Sequence, residues 1–151
     1  MKKLLVLLTL LIVITGCNKQ KSTNEKFYLD DKYYTNGSYI ELTKEELEQL
    51  QINKASYLVF TYNSYCTFKV PCDNIFEEVM KKYNISIYSL PHSIMKDTFL
   101  HDKVKFSPSI IIINKGNIIA YLDSEKQSDL SKYQDSKEFE KWLDEYIYLK
   151  K

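Results

Sequence analysis

Two short runs constrain this chain more than anything else in it. Tyr57-Leu58-Val59-Phe60-Thr61-Tyr62 and Ser109-Ile110-Ile111-Ile112-Ile113 are nearly continuous in apolar, β-favouring residues. A strand with one wet face alternates apolar and polar side chains, so such runs predict strands buried on both faces. A sheet covered on both sides needs helices, and the intervening sequence supplies them. Thr43 caps a helix running to about Ile52, with Glu46 completing a capping box and Leu42 placed to staple onto Leu47. Ile75, Phe76, Val79, Met80 and Tyr83 make one apolar face over residues 73–83. Phe139, Trp142, Leu143, Tyr146 and Ile147 make another near the end of the chain. Further strands are predicted at 39–42 and 85–90, a short helix at 93–100, and a hairpin partner at 118–122 behind the Lys115-Gly116 turn. The aromatic stretch from Phe27 to Tyr39, broken by Asn36-Gly37, is read as a strand packed on the domain. Residues 124–134 are read as a polar loop. The resulting order, β-α-β-α-β-α-β-β-α, makes an α/β fold: a mixed sheet with flanking helices, parallel where strand–helix–strand units pair and antiparallel at the late hairpin.

The N-terminus reads differently from this domain. Met1-Lys2-Lys3 is basic, residues 4–14 are apolar, and Gly16-Cys17 follows. Eleven apolar residues are too few to span a bilayer as a helix. A basic start, an apolar core and small residues at its end make a secretory signal. The cysteine directly after the small residue resembles the lipobox of bacterial lipoproteins. That resemblance implies a signal peptide over 1–16, lipid on Cys17, and a chain held at the extracytoplasmic face of the cell membrane. Residues 17–26 then read as a polar tether and 27–151 as the domain. Losing Lys2 and Lys3 with the signal would turn the net charge from +1 to −1.

Composition removes several function classes. A balance of 21 lysines against 20 acidic residues gives no strong basic face for nucleic acid. There is no arginine, hence no planar two-pronged grip on phosphate. Three glycines cannot build a glycine-rich phosphate loop. His92 and His101 have no metal-ligand spacing to a cysteine or carboxylate and are read as solvated loop residues. No metal and no cofactor is expected. What remains is the pair Cys66 and Cys72, in a compartment where disulfides persist.

The element order resembles the thioredoxin fold, and two motifs sharpen the likeness. In Val59-Phe60-Thr61-Tyr62-Asn63-Ser64-Tyr65-Cys66 a buried strand delivers a cysteine, after an aromatic residue, shortly before a helix. Phe106-Ser107-Pro108-Ser109, ahead of the isoleucine strand, is similar to that family's cis-proline loop. The resemblance spans roughly Tyr39 to Tyr148. It implies that Cys66 is a nucleophile, that Pro108 faces it with a cis peptide bond, and that Ser107, Pro108 and Tyr65 meet substrate. The chain also departs from the family. Lys69 stands where a second cysteine would follow two residues after the first, and Phe60 stands where the family has a buried acid.

Cys72 is the remaining partner. Were residues 66–72 all helical, the two Cα atoms would lie about 9 Å apart along the axis. A disulfide needs roughly 7 Å or less. Pro71 disfavours helical Val70 and suits a first helical position, so 66–70 reads as a loop and Cys72 as a helix start. A helix start favours the thiolate, so either cysteine could attack. Two readings stand at this point. One is a membrane-anchored thiol–disulfide exchange protein, an oxidoreductase with an atypical Cys-x5-Cys site acting on extracytoplasmic protein thiols as a monomer. The other is a non-catalytic binding or accessory module, similar in size and fold to some bacteriocin-transport accessory proteins. There Cys66–Cys72 is structural and residues 27–39 or 124–134 meet the partner. The lipoprotein reading has its own test. Cys17→Ala is expected to release the protein from membranes or block its processing; unchanged membrane retention with unchanged mass would remove the lipoprotein reading.

Overall fold

In a computed structural model the structure describes residues 25–63 and 71–150. Cys17, Tyr65, Cys66 and Lys69 lie outside them, as does the expected loop at 66–70. Strand β1 (Tyr39–Glu41) leads to helix α1 (Lys44–Ile52), then β2 (Tyr57–Tyr62) and α2 (Cys72–Tyr83). After β3 (Ile87–Pro91) comes α3 (His92–Met95), then the hairpin β4 (Ser109–Asn114) and β5 (Asn117–Tyr121), and finally α4 (Ser136–Asp144). The sheet order is β1-β3-β2-β4-β5. The pairs β1–β3 and β2–β3 are parallel, while β2–β4 and β4–β5 are antiparallel. This is the mixed sheet expected from the sequence.

The two apolar runs take the centre of the sheet. Leu58, Val59 and Ile110 to Ile113 are essentially without solvent exposure. On one face of β2, Phe60 meets Phe76 of α2 edge-on at 5.4 Å, and Phe76 packs on Phe139 of α4 at 4.5 Å between ring centres. On the other, Tyr57 packs with Tyr33 and Tyr88. The capping box forms as expected: Glu46 N–H donates to Thr43 Oγ1, and Thr43 N–H donates to Glu46 Oε2. Lys115 and Gly116 both take positive φ in the hairpin turn.

Four expectations need correction. Residues 27–39 form no strand before β1. Leu29 and Tyr33, four apart, are both buried, a spacing that a strand would also give, but a 3₁₀ turn at Asp31–Tyr33 breaks the extended backbone between them. Single bridges tie Phe27 to Ile147 and Tyr34 to Ile85. The last helix stops at Asp144, short of Tyr146 and Ile147, because Ile147 is drawn into that bridge. The polar loop holds a 3₁₀ helix, Gln127–Tyr133, that buries Asp129 and Tyr133. The short helix expected at 93–100 divides into α3 and a 3₁₀ turn at Phe99–Asp102, which Thr98 caps through Leu100 N–H.

The Asn36-Gly37 turn locks the N-terminal segment against α2. Gly37 has φ +63°, and a Cβ there would come within 2.5 Å of the Met80 carbonyl oxygen. Gly37→Ala is therefore expected to cost about 2 kcal/mol or more, from left-handed backbone strain together with that clash. The midpoint of urea unfolding measures it, and an unchanged midpoint would mean that the turn does not bear on α2.

Candidate functional site

The residues of interest meet at the carboxyl ends of β2 and β3, where open α/β sheets hold their ligands. β2 runs out through Thr61, Tyr62 and Asn63. α2 enters at Cys72 because Pro71, with φ −58° and ψ 119°, leaves the chain extended until the residue after it. Pro71 is thus the cap of this helix, not its expected first residue. From the other side comes the segment 106–108 ahead of β4. A cavity of about 240 Å³ opens between these parts, with Phe60, Tyr62, Pro71, Cys72, Asp73 and Pro108 on its walls. Cys72 is only 2% exposed. Tyr62 and Phe106, 39% and 50% exposed, put aromatic surface around the site.

The Ser107–Pro108 peptide bond is cis, as the resemblance implied. Its surroundings hold the segment from both sides of the sheet. The Pro108 carbonyl accepts a hydrogen bond of 2.9 Å from the buried Tyr133 hydroxyl. Ser107 Oγ donates to Thr61 Oγ1 at 2.8 Å, which leaves that oxygen to accept from Nδ1–H of His92 at 2.9 Å. The Ser107 side chain therefore serves the loop from behind. Its backbone amide and carbonyl have no hydrogen-bond partner among the described residues.

The histidines correct the sequence reading. His92 and His101 are not solvated loop residues: both are half-buried, with their rings edge to face at 6.4 Å. β3 ends at Pro91 and passes straight into α3, which puts His92 under the 106–108 segment. Burial, then the nearby charges of Lys96 and His101, holds the His92 pKa below the usual histidine value. No group of three or more histidine, cysteine or carboxylate side chains among the described residues is arranged to hold a metal ion.

Behind Cys72 the site is aromatic. Phe60 contacts Tyr39 at 5.6 Å and Tyr62 at 5.9 Å. The Tyr39 hydroxyl donates to the Asp73 carbonyl in the first turn of α2, at 3.1 Å. Burial chiefly, and then electrostatic interaction with Asp73, Cys72 and Glu77, pushes its pKa up, so it stays a neutral donor. Sequence reasoning brought Cys72, Ser107 and Pro108 to one end of the sheet, and there they are. It missed His92, Thr61, Tyr133 and Tyr39. Only Tyr133 left a signal, the three-residue spacing from Leu130 that suits a 3₁₀ turn.

Scans against family models and curated proteins find no match for the chain. Solved structures do resemble it. A thioredoxin from Schistosoma mansoni is 18% identical, with a TM-score of 0.52 over 75% of this chain and 99% of its own. A mutant thioredoxin from Halobacterium salinarum is 13% identical, with a TM-score of 0.53 over 74% of this chain and 93% of its own. The chain has the thioredoxin-like α/β fold.

The partial burial of His92, with the charges of Lys96 and His101 nearby, makes the site acid-sensitive. The pKa of His92 is lower folded than unfolded, so the unfolded chain takes the proton first. The stability tied to this residue is complete above about pH 6.5 and is lost as pH falls from there through the lower folded value. His92→Asn, which keeps a donor near Nδ1 but cannot titrate, is expected to flatten the stability–pH curve in that window. Identical curves for the two proteins would show that His92 does not titrate in this environment.

Proposed function

We propose that this is a membrane-anchored, extracytoplasmic thiol–disulfide exchange protein acting on protein substrates through Cys66 and Cys72. One observation carries the reading: Cys72, the first residue of α2, shares a cavity with the cis Pro108 segment. The unpartnered Ser107 backbone amide and carbonyl suit an extended substrate chain laid beside them, with Phe106 and Tyr62 offering apolar contact. The signal pattern of residues 1–17 supports the anchor and the location.

The burial of Cys72 supports one division of roles. A thiol 2% exposed is poorly placed to meet a disulfide on another protein, so in this reading Cys72 resolves and Cys66 attacks. The Cys66 thiolate bonds to one sulfur of a substrate disulfide, and the other substrate sulfur leaves as thiolate and takes up a proton. Cys72 then attacks Cys66, its proton passing to solvent. The second substrate sulfur departs, and the pair is left as a disulfide. Two electrons have moved from the pair to the substrate, and the reverse sequence oxidises a substrate dithiol. Phe60 leaves no buried acid at its position to assist, and Tyr39 stays neutral.

The burial of Cys72 also suits a second reading, a structural bond that pins α2 in a non-catalytic binding or accessory module. Mutants separate the two. Cys72→Ser is expected to trap mixed disulfides with extracytoplasmic proteins on non-reducing gels, and Cys66→Ser to trap none. The reduction potential of the pair is expected above about −300 mV. If neither mutant traps partners and both lose about 2 kcal/mol of stability, the module reading stands instead.

A further inference from the structure

The face of the molecule away from Cys72 is lysine-rich. α2 carries Cys72 at its first residue and Lys82 in its last turn, about 15 Å further along the axis. Beside Lys82 lies a concavity of about 740 Å³ whose rim includes Lys137, Lys141, Lys150 and Tyr148. Its two acidic residues are already engaged. Glu140 takes Lys82 Nζ at 2.6 Å and the Tyr83 hydroxyl at 2.6 Å. Asp144 pairs with Lys26 at 2.8 Å. Lys137, Lys141 and Lys150 are exposed and form no salt bridge among the described residues, Lys150 lying over the Tyr83 ring at 5.7 Å and acting on Glu140 only from a distance. Lys137 sits in the first turn of α4, the end where the helix dipole disfavours a cation, so helix stability does not account for it. Tyr148 adds an exposed ring, stacked on the exposed Tyr28 at 4.5 Å. Tyrosine and lysine together suit the headgroup level of a bilayer.

This is also where the described chain begins. Lys26 is paired at the rim of the concavity, and the next residue, Phe27, donates its amide to the Tyr146 carbonyl and accepts from the Tyr148 amide. Whatever precedes residue 25 joins the domain at this face. We infer that the Lys137–Lys141–Lys150 face docks on anionic lipid headgroups of the membrane that holds the tether, turning the Cys72 cavity away from the bilayer. The inference rests on the anchored reading above. It is argued from the unbalanced charge of this one face in a chain that is nearly neutral overall, and from the entry point of the tether.

Each lysine held near an anionic surface strengthens the attraction about fivefold. The test mixes the full chain with vesicles of phosphatidylcholine, alone or with about a third phosphatidylglycerol, and maps lysine acylation by mass spectrometry. With the anionic vesicles Lys137, Lys141 and Lys150 are expected to react about fivefold more slowly than with neutral ones, while Lys44 and Lys96 are unchanged. The protection is expected to vanish in about 1 M salt, where charges are screened beyond roughly 3 Å. It is also expected to vanish at Lys150 in the double variant Lys137→Glu, Lys141→Glu, whose two sites are exposed. Flotation with neutral vesicles reports the anchor separately. A chain that floats but reacts equally at these lysines on both vesicles keeps its anchor and overturns the docking face. A chain that fails to float with neutral vesicles loses the anchored reading, and protection on the anionic ones then still decides the face.

Discussion

β2 and β4 pair antiparallel over five residues, from Tyr57 opposite Ile113 to Thr61 opposite Ser109. Both strands are stripped of water on both faces, so a slip of one residue would exchange the aromatic side under α2 for the tyrosine side. That register brings the end of β2 level with the start of β4. Everything chemical about the site follows from it: the strand that leads to Cys66 ends beside Ser107 and Pro108, and α2 begins against the same gap. Phe60 then anchors α2 through Phe76, and Phe76 carries the contact on to α4.

A second layer supports the 106–108 segment. It is gripped on one side by Tyr133 from a 3₁₀ helix and on the other by Thr61 and His92. Buried polar groups in a fully connected arrangement rigidify what they hold, because each group released from its partner would be left without water. The Ser107 backbone amide and carbonyl are thereby left without a partner among the described residues. The opposite end of α2 has the contrary character, with lysines and tyrosines where the chain enters the domain. The two ends of one helix thus divide the molecule between the face with the Cys72 cavity and a charged face.

The sequence was most legible where periodicity and burial agree. β2, β4, α1 and α2 begin and end within a residue or so of expectation, since apolar runs, the Thr43–Glu46 box and the Pro71 stop each act locally. It was least legible where the decisive contact is distant. Residues 27–39 look like a strand by composition, and the spacing of buried Leu29 and Tyr33 would suit one, yet a 3₁₀ turn at Asp31–Tyr33 interrupts the backbone and only single bridges to the distant Ile147 and Ile85 tie the segment down. Tyr146 and Ile147 continue the α4 pattern, yet Phe27, far away in the chain, draws Ile147 out of the helix.

By itself, then, the sequence determined the α/β order, the helix start at Cys72 and the place of Pro108 before a buried strand, because caps, prolines and apolar periods act over a few residues. Only the tertiary structure decided that Cys72 is buried, that Tyr39 bonds to its helix, and that His92 and Tyr133 support the proline segment. Those contacts join residues 25 to 34 positions apart or lie in segments without a period, except His92, whose partner Ser107 is 15 residues away across a chain reversal. Nothing local in the chain encodes such pairings; they exist because the sheet register and the two apolar helix faces leave each side chain one place to go.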